Sequence, residues 1–106
     1  LESAQAVENL DEILAVDGID LFFIARVDLS KSLGYRGDKH HPEVRATVDR
    51  LVRRIRAAGR HVGVAGDFDR VEEMAAQDVN LLYISTKGLL EPGARAYRTR
   101  AQTSRT

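Results

Sequence analysis

The 106-residue sequence contains no cysteine, only two prolines, little aromatic content and no excess of either charge sign. Without cysteine there are no disulfides, no thiolate zinc sites and no cysteine nucleophile, so any metal must be held by carboxylate oxygens or by the three histidines. No apolar run approaches the roughly 18 residues needed to cross a bilayer. The opening LESAQAVENL has neither the basic start nor the apolar centre of a signal peptide. A cytoplasmic address without membrane attachment is therefore expected. With 43% hydrophobic and 30% charged residues the composition is that of one soluble globular unit, neither disordered nor fibrous. The length is well short of the about 250 residues of a complete (β/α)8 barrel.

The balanced total of 16 acids and 16 bases hides an asymmetry. Residues 1–34 carry seven acids and two bases, whereas the final GARAYRTRAQTSRT holds four arginines and no acid. That basic stretch, residues 93–106, reads as a terminal helix and tail. Its arginines stand in no recognised nucleic-acid motif, and a single tyrosine, Tyr97, is not a stacking series, so a solvated face is the expectation and nucleic acid is not.

Apolar residues at Ala6, Val7, Leu10, Ile13 and Leu14 predict one amphipathic helix over 3–16, stopped by Asp17-Gly18. The run IDLFFI, 19–24, reads as a strand covered on both faces. ARVDLSKSLGYRGDKHH reads as a long loop with at most one helical turn near 29–33. Pro42 opens a helix whose stripe is Val44, Val48, Leu51, Val52 and Ile55 and whose end is Gly59. Its opposite face is arginine-rich, with Asp49 and Arg53 spaced to pair. HVGVA, 61–65, and NLLYIS, 80–85, predict two further strands. Between them lies a helix with a capping-box-like start at Asp69 and a core face of Val71, Met74 and Ala75. A last helix over 88–102 is expected to be interrupted by Pro92-Gly93. This alternation predicts a parallel α/β sheet, with chemistry beyond the carboxyl ends of the strands.

Asp28 falls just past the first predicted strand. Position alone leaves two readings equal: a strand-end functional group, or a cap for the turn that follows. Glu2 stands where a preceding strand would end, and the two carboxylates together would offer hard oxygen ligands to a divalent ion. Arg26 could bind a substrate carboxylate bidentately or pair with Asp28. His40-His41 reads as a helix entry rather than a metal site, because adjacent side chains diverge, and His61 as a strand-start residue. Gly63 and Gly66 lack nucleotide-loop spacing.

The series Glu2, Asn9-Leu10-Asp11-Glu12-Ile13-Leu14, Gly18, Phe23-Ile24, Asp28-Leu29-Ser30, Leu33-Gly34, Gly37-Asp38 and His41-Pro42-Glu43-Val44 resembles the carboxy-terminal part of the HpcH/HpaI aldolase family, the metal-dependent class II pyruvate aldolases. The resemblance spans about residues 1–90. It implies that the chain is the C-terminal part of a (β/α)8 barrel, incomplete by itself. It also implies that Glu2 and Asp28 bind Mg2+ or Mn2+, and that the activity is aldol cleavage or condensation of a small 2-keto acid through a pyruvate enolate. Ala25-Arg26-Val27 stands where the family shows Gly-Pro-Ala, which puts Arg26 and Val27 at substrate-binding positions. Ser85-Thr86-Lys87 replaces the usual Gly-Ser-Asp. The family's enolate-stabilising arginine and base histidine belong to the half absent from this chain. A complementary half-barrel chain or a homo-oligomer is therefore expected. The alternative is a degenerate, non-catalytic subunit that keeps the fold for assembly.

Overall fold

The computed structural model describes residues 1–105. The elements are α1 (Ala4–Glu8), α2 (Leu10–Leu14), β1 (Phe22–Ile24), α3 (Arg26–Ser32), α4 (Pro42–Ala57), β2 (Val62–Ala65), a 3-10 turn (Phe68–Arg70), α5 (Val71–Ala75), β3 (Leu81–Tyr83) and α6 (Thr86–Thr103). The strands form one parallel sheet in the order β1-β2-β3, with Phe23 opposite Gly63 and Gly63 opposite Leu81. Strand order following chain order, with helical segments between neighbours, is the unit from which a (β/α)8 barrel is built. The chain is an α/β segment of such a barrel.

The N-terminal residue adds a further edge. The Leu1 nitrogen donates to the Phe23 carbonyl at 2.6 Å, and the Ala25 N–H donates back to the Leu1 carbonyl at 3.0 Å. This is one rung of a parallel ladder opposite Ile24. Glu2 thus follows the end of a strand-like residue lying beside β1, as its sequence position predicts.

One face of the sheet carries the core. Phe22, Ile24, Val62 and Val64 pack with the α4 stripe Val44, Val48, Leu51, Val52 and Ile55, and with Leu10, Leu29 and Met74. Every residue of the predicted α4 stripe is at most 5% exposed. Pro42 occupies the first turn of α4, and Gly59 ends the helix with φ +74°. Such a left-handed C-terminal residue suits glycine. The other sheet face is open: Phe23 meets Tyr83 edge to face at 6.4 Å, yet Tyr83 remains 54% and Leu81 44% exposed. In a closed barrel this is the inner face.

Several local expectations change. The first helix is broken at Asn9, which ends α1 and begins α2. The long loop contains a seven-residue helix, α3, whose Arg26, Leu29 and Ser30 form a buried face at i, i+3 and i+4. Arginine and serine on that face disguise the helical period. In α5 only Met74 is buried, while Val71 and Ala75 are exposed; Asp69 lies inside the 3-10 turn rather than capping the helix, whose N-cap is Arg70 with no side-chain cap bond. Pro92 lies inside a continuous α6 and does not interrupt it; a proline removes one helical hydrogen bond without necessarily ending the helix. Asp49 accepts from Gln77 at 2.8 Å instead of pairing with Arg53. Three of the five arginines of α4 form ion pairs: Arg45 with Glu73, Arg54 with Asp11 and Arg56 with Asp78. Of the basic tail, Arg105 is described and Thr106 lies outside the described residues.

Candidate functional site

The strand ends converge on β1. Ile24 ends the strand, Ala25 is the N-cap of α3, and Asp28 lies in the helix's first turn. The inward face of α3 is held by Leu29 and Ser30, both fully buried, with the Ser30 hydroxyl donating to the Val27 carbonyl at 2.7 Å. The outward face therefore consists of Val27, Asp28 and Lys31, all exposed. Asp28 is not the cap that one reading allowed, since the cap position is Ala25 and makes no side-chain bond. A carboxylate in the first turn is still favoured by the helix dipole.

The Leu1–Ile24 rung sets Glu2 beside Ala25, so Glu2 and Asp28 leave neighbouring strand ends at the same edge of the sheet. Both are exposed, and among the described residues neither carboxylate makes a hydrogen bond or ion pair. Two uncommitted hard oxygen donors fit a divalent cation that keeps positions open for water and substrate oxygens. Among the described residues no group of three or more His, Asp or Glu gathers as a metal cluster.

Arg26 goes elsewhere than either sequence reading placed it. It is 5% exposed, turned under α3, and its Nη1 donates to Asp67 Oδ2 at 2.9 Å rather than to Asp28. Lys39 Nζ donates to the other oxygen, Asp67 Oδ1, at 2.6 Å. Asp67, just beyond β2, thus joins three segments: the exit of β1, the 33–41 loop and the exit of β2. Burial pushes its carboxyl up, but the hydrogen bonds and charges of Arg26 and Lys39 outweigh this and bring it down to about 2. Arg26 Nε and Nη2 are buried without a partner among the described residues, next to a cavity of about 20 Å³. Asp67 was not singled out from the sequence; the only signal was its position at a predicted strand end.

The 33–41 loop is ordered by successive turns and by the stacking of Tyr35 on His41, centroids 3.9 Å apart. His41 Nδ1 accepts from the Glu43 N–H at 3.2 Å, which makes it the helix-entry residue expected. His40 and His61 are exposed. Ser85, at the end of the β3 segment, caps α6 by accepting from Gly88 N–H at 3.0 Å. Among the described residues no helix is long and apolar enough to cross a membrane.

The chain is similar to proteins of one known family. Residues 1–88 match the family described as HpcH/HpaI aldolase/citrate lyase. A 2-keto-3-deoxy-L-rhamnonate aldolase of Klebsiella pneumoniae is 45% identical over 91 residues, covering 85% of this chain and 34% of that protein. The crystal structure of an HpcH/HpaI aldolase/citrate lyase family protein from Burkholderia cenocepacia superposes with a TM-score of 0.79 at 31% identity, covering 99% of this chain and 40% of that one. An HpcH/HpaI aldolase from Desulfitobacterium hafniense gives a TM-score of 0.74 at 28% identity, covering 93% and 40%. The chain spans about a third of the length of the curated relatives it matches.

Proposed function

The chain belongs to the HpcH/HpaI aldolase/citrate lyase family, and from that premise we propose that it supplies the metal-binding strand ends of a carbon–carbon lyase acting on a small 2-keto acid. The observation that carries this reading is the pairing of Leu1 with Ile24, which brings Glu2 and Asp28 to adjacent strand ends with both carboxylates uncommitted. In this reading Glu2 and Asp28 hold a divalent ion of the Mg2+ or Mn2+ class. Such an ion supplies Lewis-acid polarisation of a keto oxygen, favouring the enolate of pyruvate.

The remaining roles follow from the faces of α3. Val27, 42% exposed beside Asp28, contacts the substrate. Arg26 is turned inward and supports that wall from beneath, with its charge directed to Asp67. The proton-transferring group and the enolate-stabilising arginine lie outside this chain. Residues 1–106 therefore act as one segment of a larger barrel, completed by a complementary half-barrel chain or by a homo-oligomer. The open inner sheet face at Leu81 and Tyr83 supports that requirement. The substrate class follows the relatives: a 2-keto-3-deoxy sugar acid cleaved to pyruvate and an aldehyde.

The test is pyruvate release from such acids by the assembled protein with Mg2+ or Mn2+ present, compared with Asp28→Asn. Metal-dependent release that the variant abolishes supports the reading. Release that survives both chelation and Asp28→Asn contradicts it.

A further inference from the structure

Resting on the metal reading above, we propose that Asp67 is the counter-charge that makes the strand end carrying Arg26 compatible with a cation at Glu2 and Asp28. Arg26 stands two residues before Asp28, in the same turn of α3. An uncompensated guanidinium there would repel a divalent ion, because like charges in a partly desolvated site interact strongly. The structure removes this conflict in two ways.

The first is rotational. The buried face of α3 is Arg26, Leu29 and Ser30, and the exposed face is Val27, Asp28 and Lys31. The rotation that turns Arg26 under the helix is the one that presents Asp28 outward. The second is electrostatic. Asp67 meets Arg26 at 2.9 Å, and the side chains are 6% and 16% exposed, so the guanidinium is shielded from water and salt while the carboxylate is partly solvated. Asp67 comes from the exit of β2, and is therefore not drawn from either strand end that carries the proposed ligands. Lys39 shares Asp67, but its side chain is 34% exposed and its charge is partly dispersed into solvent. Asp67 is in this account a positioning and compensating residue that touches neither metal nor substrate.

The proposal is tested by calorimetric titration of Mn2+ into the full chain in its assembled state, at a temperature where circular dichroism shows every variant folded. Asp67→Asn should weaken Mn2+ binding on the order of tenfold by leaving Arg26 uncompensated. Arg26→Gln should tighten it, and the double variant Arg26→Gln/Asp67→Asn should return to within about twofold of the wild type. A purely structural role for Asp67 would lower the melting temperature and leave Mn2+ affinity unchanged, and that result overturns the proposal. So does a double variant as weak as Asp67→Asn. If Asp67→Asn does not fold, Arg26→Gln decides alone: tighter binding supports the proposal, unchanged or weaker binding overturns it. A wild type that takes up no Mn2+, or takes it up equally well as Asp28→Asn, overturns the metal reading and this proposal with it. Wild-type binding that needs Asp28 but ignores both Asp67→Asn and Arg26→Gln overturns this proposal alone.

Discussion

Arg26 and Asp67, 41 residues apart in sequence, meet at 2.9 Å and join the exit of β1 to the exit of β2. Because Arg26 is 5% exposed, removing its partner leaves a cation buried without compensation. Asp67→Ala should therefore destabilise the fold by about 3 kcal/mol, toward the lower end for a broken buried pair because the carboxylate side is partly solvated. Arg26→Met should cost less, since it leaves no buried charge behind. Urea unfolding of the two variants checks the order; equal losses would contradict it.

The same carboxylate sets an acid limit. Its folded-state value of about 2 lies below the ordinary 3.8, so its contribution is complete above the unfolded value. It is lost as pH falls from about 4 toward 2, and amounts to about 2 kcal/mol. The stability gap between wild type and Asp67→Asn, measured by urea unfolding, should therefore be constant from pH 7 to 5 and close as the pH approaches 2. A gap that persists unchanged at pH 2.5 would assign the stabilisation to another group.

Gly63 sits at the centre of the open sheet face. A Cβ there would lie 3.0 Å from Phe23 Cδ2, 3.1 Å from Leu21 Cδ2 and 3.2 Å from Leu81 Cδ2. Gly63→Val forces these side chains apart and should cost about 1 to 3 kcal/mol, as overpacking does. Gly93→Ala, where nothing lies within 4 Å, should be neutral or slightly stabilising as a helix-interior replacement. Thermal melting of the two variants separates them.

What could be read from the residues alone depended on how local the signal was. The α4 stripe, Pro42 at the helix start and Gly59 at its end lie within one stretch of chain, and all three stand in the structure as expected. The α/β alternation was legible for the same reason. Helix α3 was hidden because its buried face is completed by Arg26 and Ser30, residues whose polarity masks the period. Their burial is allowed by Asp67 and by the Val27 carbonyl, and the first of these partners comes from a distant strand end. Arg60 is similar: it donates to the carbonyls of Leu14, Val16 and Ile19 and lies 4.9 Å over the Phe22 ring, a set of contacts that no sequence spacing reveals. At the site, the strand-end position of Asp28 was legible, while the fate of Arg26 required the third dimension.

The exposed inner face predicts association. Leu81 and Tyr83 on β3, with Phe68, Val71 and Leu89 nearby, remain 41% to 54% exposed. An open edge strand backed by apolar surface is a template for pairing. Sedimentation velocity should show an assembly, and Leu81→Glu should weaken it while leaving helical content intact. A monodisperse, cooperatively folded species at the chain mass of 11.8 kDa would contradict this expectation.

The central claim is that Glu2 and Asp28 together hold one divalent cation at adjacent strand ends. The most direct test follows free Mn2+ by electron paramagnetic resonance during titration of the assembled protein, comparing wild type with Glu2→Gln and Asp28→Asn. The account predicts saturable uptake of one ion per site, weakened at least about tenfold by either substitution, because each removes one of two hard oxygen ligands. Mn2+ uptake identical in all three proteins would contradict it.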